Sequence, residues 1–93
     1  MKAIEFDPAK DAINVLKHGL SLADALLVHD APVKVTMPTM RDDEHRWMDI
    51  AHVESAGGVL MLVYAVRGDA LRPISLRRAS KAERRLYREH TES

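Results

Sequence analysis

The stretch from Val59 to Val66, which runs VLMLVYAV, decides the fold. An uninterrupted apolar run of this length predicts a central strand that is covered on both faces. Gly57 and Gly58 predict a turn before it, and residues 67–70, with the letters RGDA, predict a hairpin turn after it. The run therefore indicates the middle strand of an antiparallel meander.

The neighbouring strands follow from the same pattern. Leu71 to Leu76 predicts the last strand, and because Pro73 has no N–H to donate, this strand should lie at an edge or carry a bulge. Simple alternation places Arg72, Ile74 and Leu76 on one face and Pro73, Ser75 and Arg77 on the other. Upstream, residues 47–53 and 33–37 predict two more strands. The polar stretch 38–45 between them lacks periodicity and predicts a loop.

The N-terminal part predicts a short strand, residues 2–6, and then two helices. Asp7 is a suitable N-cap, Pro8 suits the first helical position, and Gly19 ends the first helix. Ile13 and Leu16, with the alanines at positions 9 and 12, should form its buried apolar face. The notable polar residue of this helix, Asn14, is interpreted as exposed or locally hydrogen-bonded. The second helix should begin after Ser21 and end near residues 29–30.

Ser80 and Glu83 form a capping box that predicts the final helix. The order β-α-α-β-β-β-β-α indicates an α+β fold in which helices pack on one face of an antiparallel sheet. A chain of 93 residues fits one domain, residues 1–93.

Composition excludes several classes of protein. The chain has no cysteine, so disulfides and thiolate metal sites are excluded. His45 and His52 are not at a recognised metal spacing, and no glycine-rich nucleotide loop or nucleophile elbow is present. We expect no cofactor and no metal. The absence of a long apolar segment and of a signal-peptide pattern predicts a cytoplasmic protein without membrane contact.

The charges are segregated although the net charge is zero. Residues 1–66 carry six Lys/Arg and ten Asp/Glu, whereas residues 67–93 carry eight Lys/Arg, seven of them Arg, and four Asp/Glu. Arginine grips phosphate with a planar fork that lysine lacks. The C-terminal part is therefore either an anion-binding face or a solvated helix with its own ion pairs.

Two pairs of polar residues have a structural and a functional interpretation. Lys17 and His18 precede the end of the first helix, where cations favour the helix dipole and where an imidazole suits proton transfer. Glu44 and Arg46 would share one face of an extended chain, with Trp47 pointing to the core. This second pair could be a base and a phosphate clamp, or a surface ion pair of small energetic value.

The C-terminal residues add further candidates. Arg84 and Tyr87 lie three residues apart on one helix face. Glu83 is interpreted mainly as a cap, and Tyr87 either packs in the core or contacts a ligand. The candidate catalytic residues are His18, Glu44, Arg46, Arg77 and Arg84, and the candidate substrate-binding residues are Lys17, Arg72 and Tyr87.

The chain resembles the BrnT family, toxins of type II toxin–antitoxin systems, in three motifs that occur in order. The motifs are FDPxKxxxNxxKHGxS from Phe6 to Ser21, ExR from Glu44 to Arg46, and RxISxRxAxxxERxxY from Arg72 to Tyr87. The resemblance implies a RelE-like fold, endoribonuclease activity on RNA, and neutralisation by a BrnA-like antitoxin protein. It also implies that the toxin–antitoxin complex binds its own operator DNA.

The chain departs from the family pattern at a few positions. Phe6 stands where tryptophan is frequent, Leu22 where phenylalanine is frequent, and Ala51 where a glycine is usual. Pro73 replaces an aliphatic residue of the last strand, which bears on how Arg72 and its neighbours are aimed.

The sequence thus predicts a metal-independent endoribonuclease in which the ribose 2′-hydroxyl attacks the adjacent phosphate. Glu44 or His18 would handle protons, and Arg46, Arg77 and Arg84 would stabilise the phosphate. Lys17, Arg72 and Tyr87 would bind the RNA. The candidate residues are expected to meet on one face of the sheet. The alternative is a binding module that holds the antitoxin and helps to repress the operon, with weak or no nuclease activity.

Overall fold

The computed structural model describes residues 3–92, so Lys2 of the predicted first strand lies outside the described residues. The helices and strands occur in the predicted order, which confirms the α+β class. They are β1 (Ala3–Ile4), α1 (Pro8–His18), α2 (Ala25–His29), β2 (Val35–Arg41), β3 (Glu44–Val53), β4 (Gly58–Arg67), β5 (Ala70–Arg78) and α3 (Lys81–Thr91). Single 3₁₀ turns precede α2 (Leu22–Asp24) and follow β3 (Glu54–Ala56). No helix in this part of the chain is long and apolar enough to cross a membrane.

The strands form one sheet in the order β1-β5-β4-β3-β2. β4 is the central strand, and its residues Leu60, Met61 and Leu62 are buried on alternating faces, which confirms the prediction from the apolar run. Neighbouring strands from β2 to β5 are antiparallel, but β1 pairs with β5 in parallel. The sheet is therefore mixed at one edge.

The loop predicted for residues 38–45 is wrong, because this segment is a hairpin. β2 continues to Arg41 and β3 begins at Glu44, with Asp42 and Asp43 as the two turn residues. Both aspartates have positive φ, 54° and 64°, which matches the type I′ geometry that twists correctly into a hairpin. Pro38 is tolerated in β2 because β2 is an edge strand.

A bulge in β5 changes which side chains share a face. Tyr64 pairs with Pro73 while Val63 pairs with Ser75, so Ile74 is the extra residue. The predicted bulge near Pro73 is confirmed, but the predicted faces are wrong. The bulge interrupts the alternation, so Arg72 lies on the same face as Ser75 and Arg77.

The sheet is covered on both faces, which corrects the expectation that all helices pack on one. The segment from α1 to α2 covers the first face, where Leu22, Ala25 and Val28 pack on alternate residues of β3 and β4. The second face carries Ile50 and Met61 and is covered by α3. Because β3 and β4 are apolar on both sides, each face must be buried.

Helix α1 has its predicted ends but the opposite orientation. The Asp7 side chain accepts a hydrogen bond from the backbone of Ala9, and Gly19 ends the helix with φ of 71°. However, Ile13 is 52% exposed and Leu16 is 86% exposed, so the predicted buried face is wrong. The buried residue of this helix is Asn14, which is 5% exposed.

The amide of Asn14 explains this orientation, because it serves as a substitute for a missing strand. In the described part of β1, pairing with β5 reaches only Ala70 and Leu71. Further along β5, Asn14 Nδ2 donates to the carbonyl of Leu76 at 2.8 Å, and the N–H of Leu76 donates to Asn14 Oδ1 at 3.2 Å. Nδ2 also donates to the carbonyl of Leu20 at 2.8 Å. Polar bonds therefore fix α1 along the sheet edge.

Replacement of Asn14 by alanine should destabilise the protein by about 2–4 kcal/mol, because it leaves buried backbone groups of β5 without partners. Urea denaturation at neutral pH measures this change. Leu16→Ala on the same helix is the control and should change stability by less than about 0.5 kcal/mol, since that side chain is exposed. Equal losses in the two variants would show that the amide does not hold α1.

Candidate active site

A groove runs between α1 and the bulged part of β5. Its first pocket, about 130 Å³ in volume, is lined by residues of α1, β3, β4, β5 and the segment between β1 and α1. The lining residues are Phe6, Asp7, Lys10, Glu44, Arg46, Arg67, Arg72, Pro73 and Ile74. A second, more open pocket adjoins it and shares Lys10 and Ile74 with the first. The bulge and the Asn14 bonds together define this groove.

Glu44 is one of two carboxylates in the first pocket, and arginines surround it. Its Oε1 accepts from Arg46 Nε at 2.8 Å, and Arg67 Nη2 lies 3.9 Å from Oε2. The hydrogen bond from Arg46 lowers the pKa of Glu44 despite partial desolvation, and the charges of Arg46, Arg67 and Arg72 act in the same direction. The sequence prediction that Glu44 and Arg46 share a face is confirmed.

The first pocket therefore has more positive than negative charge. Three guanidinium groups and the ammonium of Lys10 face the carboxylates of Glu44 and Asp7. Such an excess suits a phosphate group, which accepts forked hydrogen bonds from arginine. Lys10 and Arg67 are not among the site residues predicted from the sequence. Arg67 belongs to the predicted hairpin turn and to the arginine-rich C-terminal part, and its side chain reaches Glu44 on the neighbouring strand β3.

Lys17 and His18 line the second pocket together with Ser75. Both are exposed in the last turn of α1, where the charge of Lys17 also interacts favourably with the helix dipole. Ser75 of the second pocket lies on the same face of β5 as Arg72 of the first pocket and as Arg77. The structure thus brings Lys17, His18, Glu44, Arg46 and Arg72 into one groove.

Arg77, Arg84 and Tyr87 do not line these two pockets. Arg77 makes a forked ion pair with Glu83, with nitrogen–oxygen distances of 2.7 and 2.8 Å. Arg84 donates to the carbonyl of Ala79 at 2.9 Å, and Tyr87 is half-buried against the core. Arg77 and Arg84 thus fasten α3 to the end of β5, and Tyr87 packs α3 against the core.

Glu83 has two structural partners. Besides Arg77 it binds the backbone N–H of Ser80, whose hydroxyl accepts from the N–H of Glu83, so the predicted capping box is confirmed. The hydrogen bond from Arg77 is the main reason that the pKa of Glu83 is lowered, and the same pair raises the pKa of Arg77.

A second polar cluster lies in the core of the first face and was not predicted. The carboxylate of Asp49 is fully buried. Its partners are His29 at 3.0 Å, Lys34 at 3.3 Å, Thr36 at 2.7 Å and Tyr64 at 3.2 Å. Burial, and then the charge of Asp49, raise the pKa of the Tyr64 hydroxyl strongly. The alternation of residues 47–53 could have shown that this aspartate points inward. Because its carboxylate is enclosed and its bonds are satisfied, the cluster is structural.

Comparison with known proteins gives a family for the chain. The family model that matches is described as the ribonuclease toxin BrnT of type II toxin–antitoxin systems, and it covers residues 6–83. No curated protein sequence matched. The matched segment contains every residue of the groove, and it ends in the first turn of α3, before Arg84 and Tyr87.

Replacement of Glu83 by glutamine should lower stability at pH 7 by about 1 kcal/mol, because the partly exposed ion pair with Arg77 is lost while the capping box can be kept. The pKa of Glu83 is lower in the folded state, so its contribution is complete above the unfolded pKa of about 4.3. That contribution disappears as the pH falls through the folded pKa. Denaturation should therefore show a larger difference from the wild type at pH 7 than at pH 3, and an equal loss at both values would contradict this assignment.

Proposed function

Because the chain belongs to the BrnT family of ribonuclease toxins of type II toxin–antitoxin systems, we propose that it is an endoribonuclease that cuts RNA in this groove without a metal ion. The observation that carries the proposal is the set of arginines around Glu44, which places a proton acceptor beside groups that bind phosphate. Cleavage of RNA would inhibit translation in the cytoplasm.

The proposed reaction is transfer of the phosphate to the neighbouring ribose oxygen. The 2′-hydroxyl attacks the adjacent phosphorus, so a bond from O2′ to phosphorus forms and the bond from phosphorus to O5′ breaks. The 2′-hydroxyl loses its proton to a base, and O5′ gains a proton from an acid. The products are a 2′,3′-cyclic phosphate, which can open to a 3′-phosphate, and a 5′-hydroxyl end.

Glu44 and His18 are the proposed groups for proton transfer. The lowered pKa of Glu44 keeps it ionised at neutral pH, so it can accept the proton of the 2′-hydroxyl. His18 stands in the adjoining pocket, where an imidazole can donate to the leaving oxygen. The exchange of these two roles remains an alternative within the same proposal.

The charge of the phosphorane would be stabilised by guanidinium groups. Arg46 and Arg72 are the first candidates, with Arg67 beside them, because all three line the pocket of Glu44. Lys17 would position the RNA backbone. Arg77 can contribute only if phosphate displaces Glu83, since both of its terminal nitrogens are bound to that carboxylate. Arg84 and Tyr87 would contact RNA outside the groove.

The proposed partners follow from family membership. A BrnA-like antitoxin would neutralise the toxin, and the complex of the two would bind operator DNA. The second candidate function is an antitoxin-binding co-repressor with weak or no nuclease activity. The lowered pKa of Glu44 favours this second function, because a carboxylate with a lowered pKa is a weak base.

Arg46→Ala should reduce the rate of RNA cleavage by about 100- to 1000-fold, by analogy with the loss of one donor to a developing oxyanion. The rate is measured on purified, folded protein with a short RNA. Arg85→Ala is the control, because Arg85 is an exposed arginine of α3 outside the groove. If Arg46→Ala cuts RNA as fast as Arg85→Ala, the role assigned to Arg46 is wrong.

Cleavage should persist in EDTA, because the proposed groups are all side chains of the protein. The assay uses the purified chain with RNA and measures cyclic or 3′-phosphate ends. Loss of cleavage in EDTA would refute metal independence. No cleavage with or without added magnesium would instead support the co-repressor function.

A further inference from the structure

The exposed side of α1 carries an apolar stripe of the kind that helices normally bury. Ala9, Ala12, Ile13 and Leu16 have the spacing i, i+3, i+4, i+7, which is typical of a buried helix face. All four residues are nevertheless exposed. An exposed apolar surface of this kind marks an interaction site.

The stripe is exposed because the opposite side of α1 is fixed to the protein by polar bonds. Asn14 binds the edge of β5, as described above. Asp11 accepts hydrogen bonds from the backbone N–H of Leu22 at 2.7 Å and from the hydroxyl of Ser21 at 3.1 Å. Rotation of α1 to bury the stripe would break both sets of bonds. The outward position of Ile13 and Leu16 is therefore built into the fold.

The charges beside the stripe are positive. Lys10 and Lys17 are exposed on α1, lie three and four residues from Ile13 on the same side of the helix, and line the groove. The acidic residues of the helix face elsewhere, since Asp7 caps its N-terminus and Asp11 is turned to the backbone of Leu22. An apolar stripe with a cationic border is complementary to an amphipathic segment with acidic side chains.

We propose that this stripe, with Lys10 and Lys17 at its border, is the docking surface for an acidic amphipathic segment of the antitoxin. A second copy of this chain is a poorer occupant. A two-fold pair of α1 helices would bring Lys10 of one copy near Lys17 of the other, and these like charges would repel.

Docking at this surface would also explain how the antitoxin blocks the groove. Lys10 lines both pockets, and Lys17 and His18 line the second. Carboxylates of a segment seated on the stripe would bind Lys10 and Lys17, which otherwise face RNA phosphate. Antitoxin and RNA would then compete for the groove, and this competition rests on the proposed function.

Leu16→Glu tests the docking surface, because Leu16 is 86% exposed and does not line the groove. The affinity for the antitoxin encoded beside the toxin gene, measured by calorimetry without RNA, should fall by about 100-fold, as expected for a charge placed in an apolar contact. The matched control is Leu27→Glu on α2, where the side chain is 48% exposed. The affinity of Leu27→Glu for the antitoxin should stay within about threefold of the wild-type value.

The two variants should keep the wild-type melting temperature and rate of RNA cleavage. Unchanged affinity of Leu16→Glu, or an equal loss in both variants, would overturn the docking surface. A wild-type dimer that Leu16→Glu converts to a monomer would show that the occupant is a second copy. Affinity that does not weaken with added salt would overturn the acidic partner. Because binding is measured without RNA, an inactive nuclease would leave this test valid.

Discussion

The side-chain amide of Asn14 is the interaction on which most of the molecule depends. It replaces a strand at the open edge of β5, where it binds both backbone groups of Leu76. This single contact sets the rotation of α1. It brings Lys10, Lys17 and His18 to the groove and turns the apolar stripe outward. An apolar contact could not fix the rotation equally well, because it lacks the directionality of hydrogen bonds.

The bulge in β5 is the second constraint, because it decides which charges meet. An unbroken strand would place Arg72 and Ser75 on opposite faces. The extra residue Ile74 brings them to the same face and turns toward α1, where it lines both pockets. Pro73 is compatible with this geometry, since a bulge tolerates a residue that lacks an N–H. The bulge thus explains both why Pro73 is tolerated in β5 and how the side chains of the groove come together.

Two carboxylates of β3 show how burial separates structural from chemical roles. Asp49 is enclosed in the core, where four side chains satisfy it, so it holds β2, β4 and the end of α2 together. Glu44 lies at the other end of the strand, with its side chain 39% exposed and with guanidinium groups around it. Removal of partners from a buried charge is costly, whereas an accessible charge can exchange its partners for substrate. Of these two carboxylates, only Glu44 is accessible to a substrate.

The sequence by itself determined the elements whose signals are local: the apolar run of β4, the caps at Asp7, Gly19 and Ser80, and the motifs of the toxin family. It also predicted the Glu44–Arg46 contact, because two residues on one strand are neighbours by geometry. Only the tertiary structure decided the orientation of α1, the inclusion of Lys10 and Arg67, and the pairing of Arg77 with Glu83. Periodicity reports which helix face is apolar, but hydrogen bonds from Asn14 to a residue 62 positions away determined which face is buried. Such long-range polar contacts have no local pattern, so they appear only when the chain is folded.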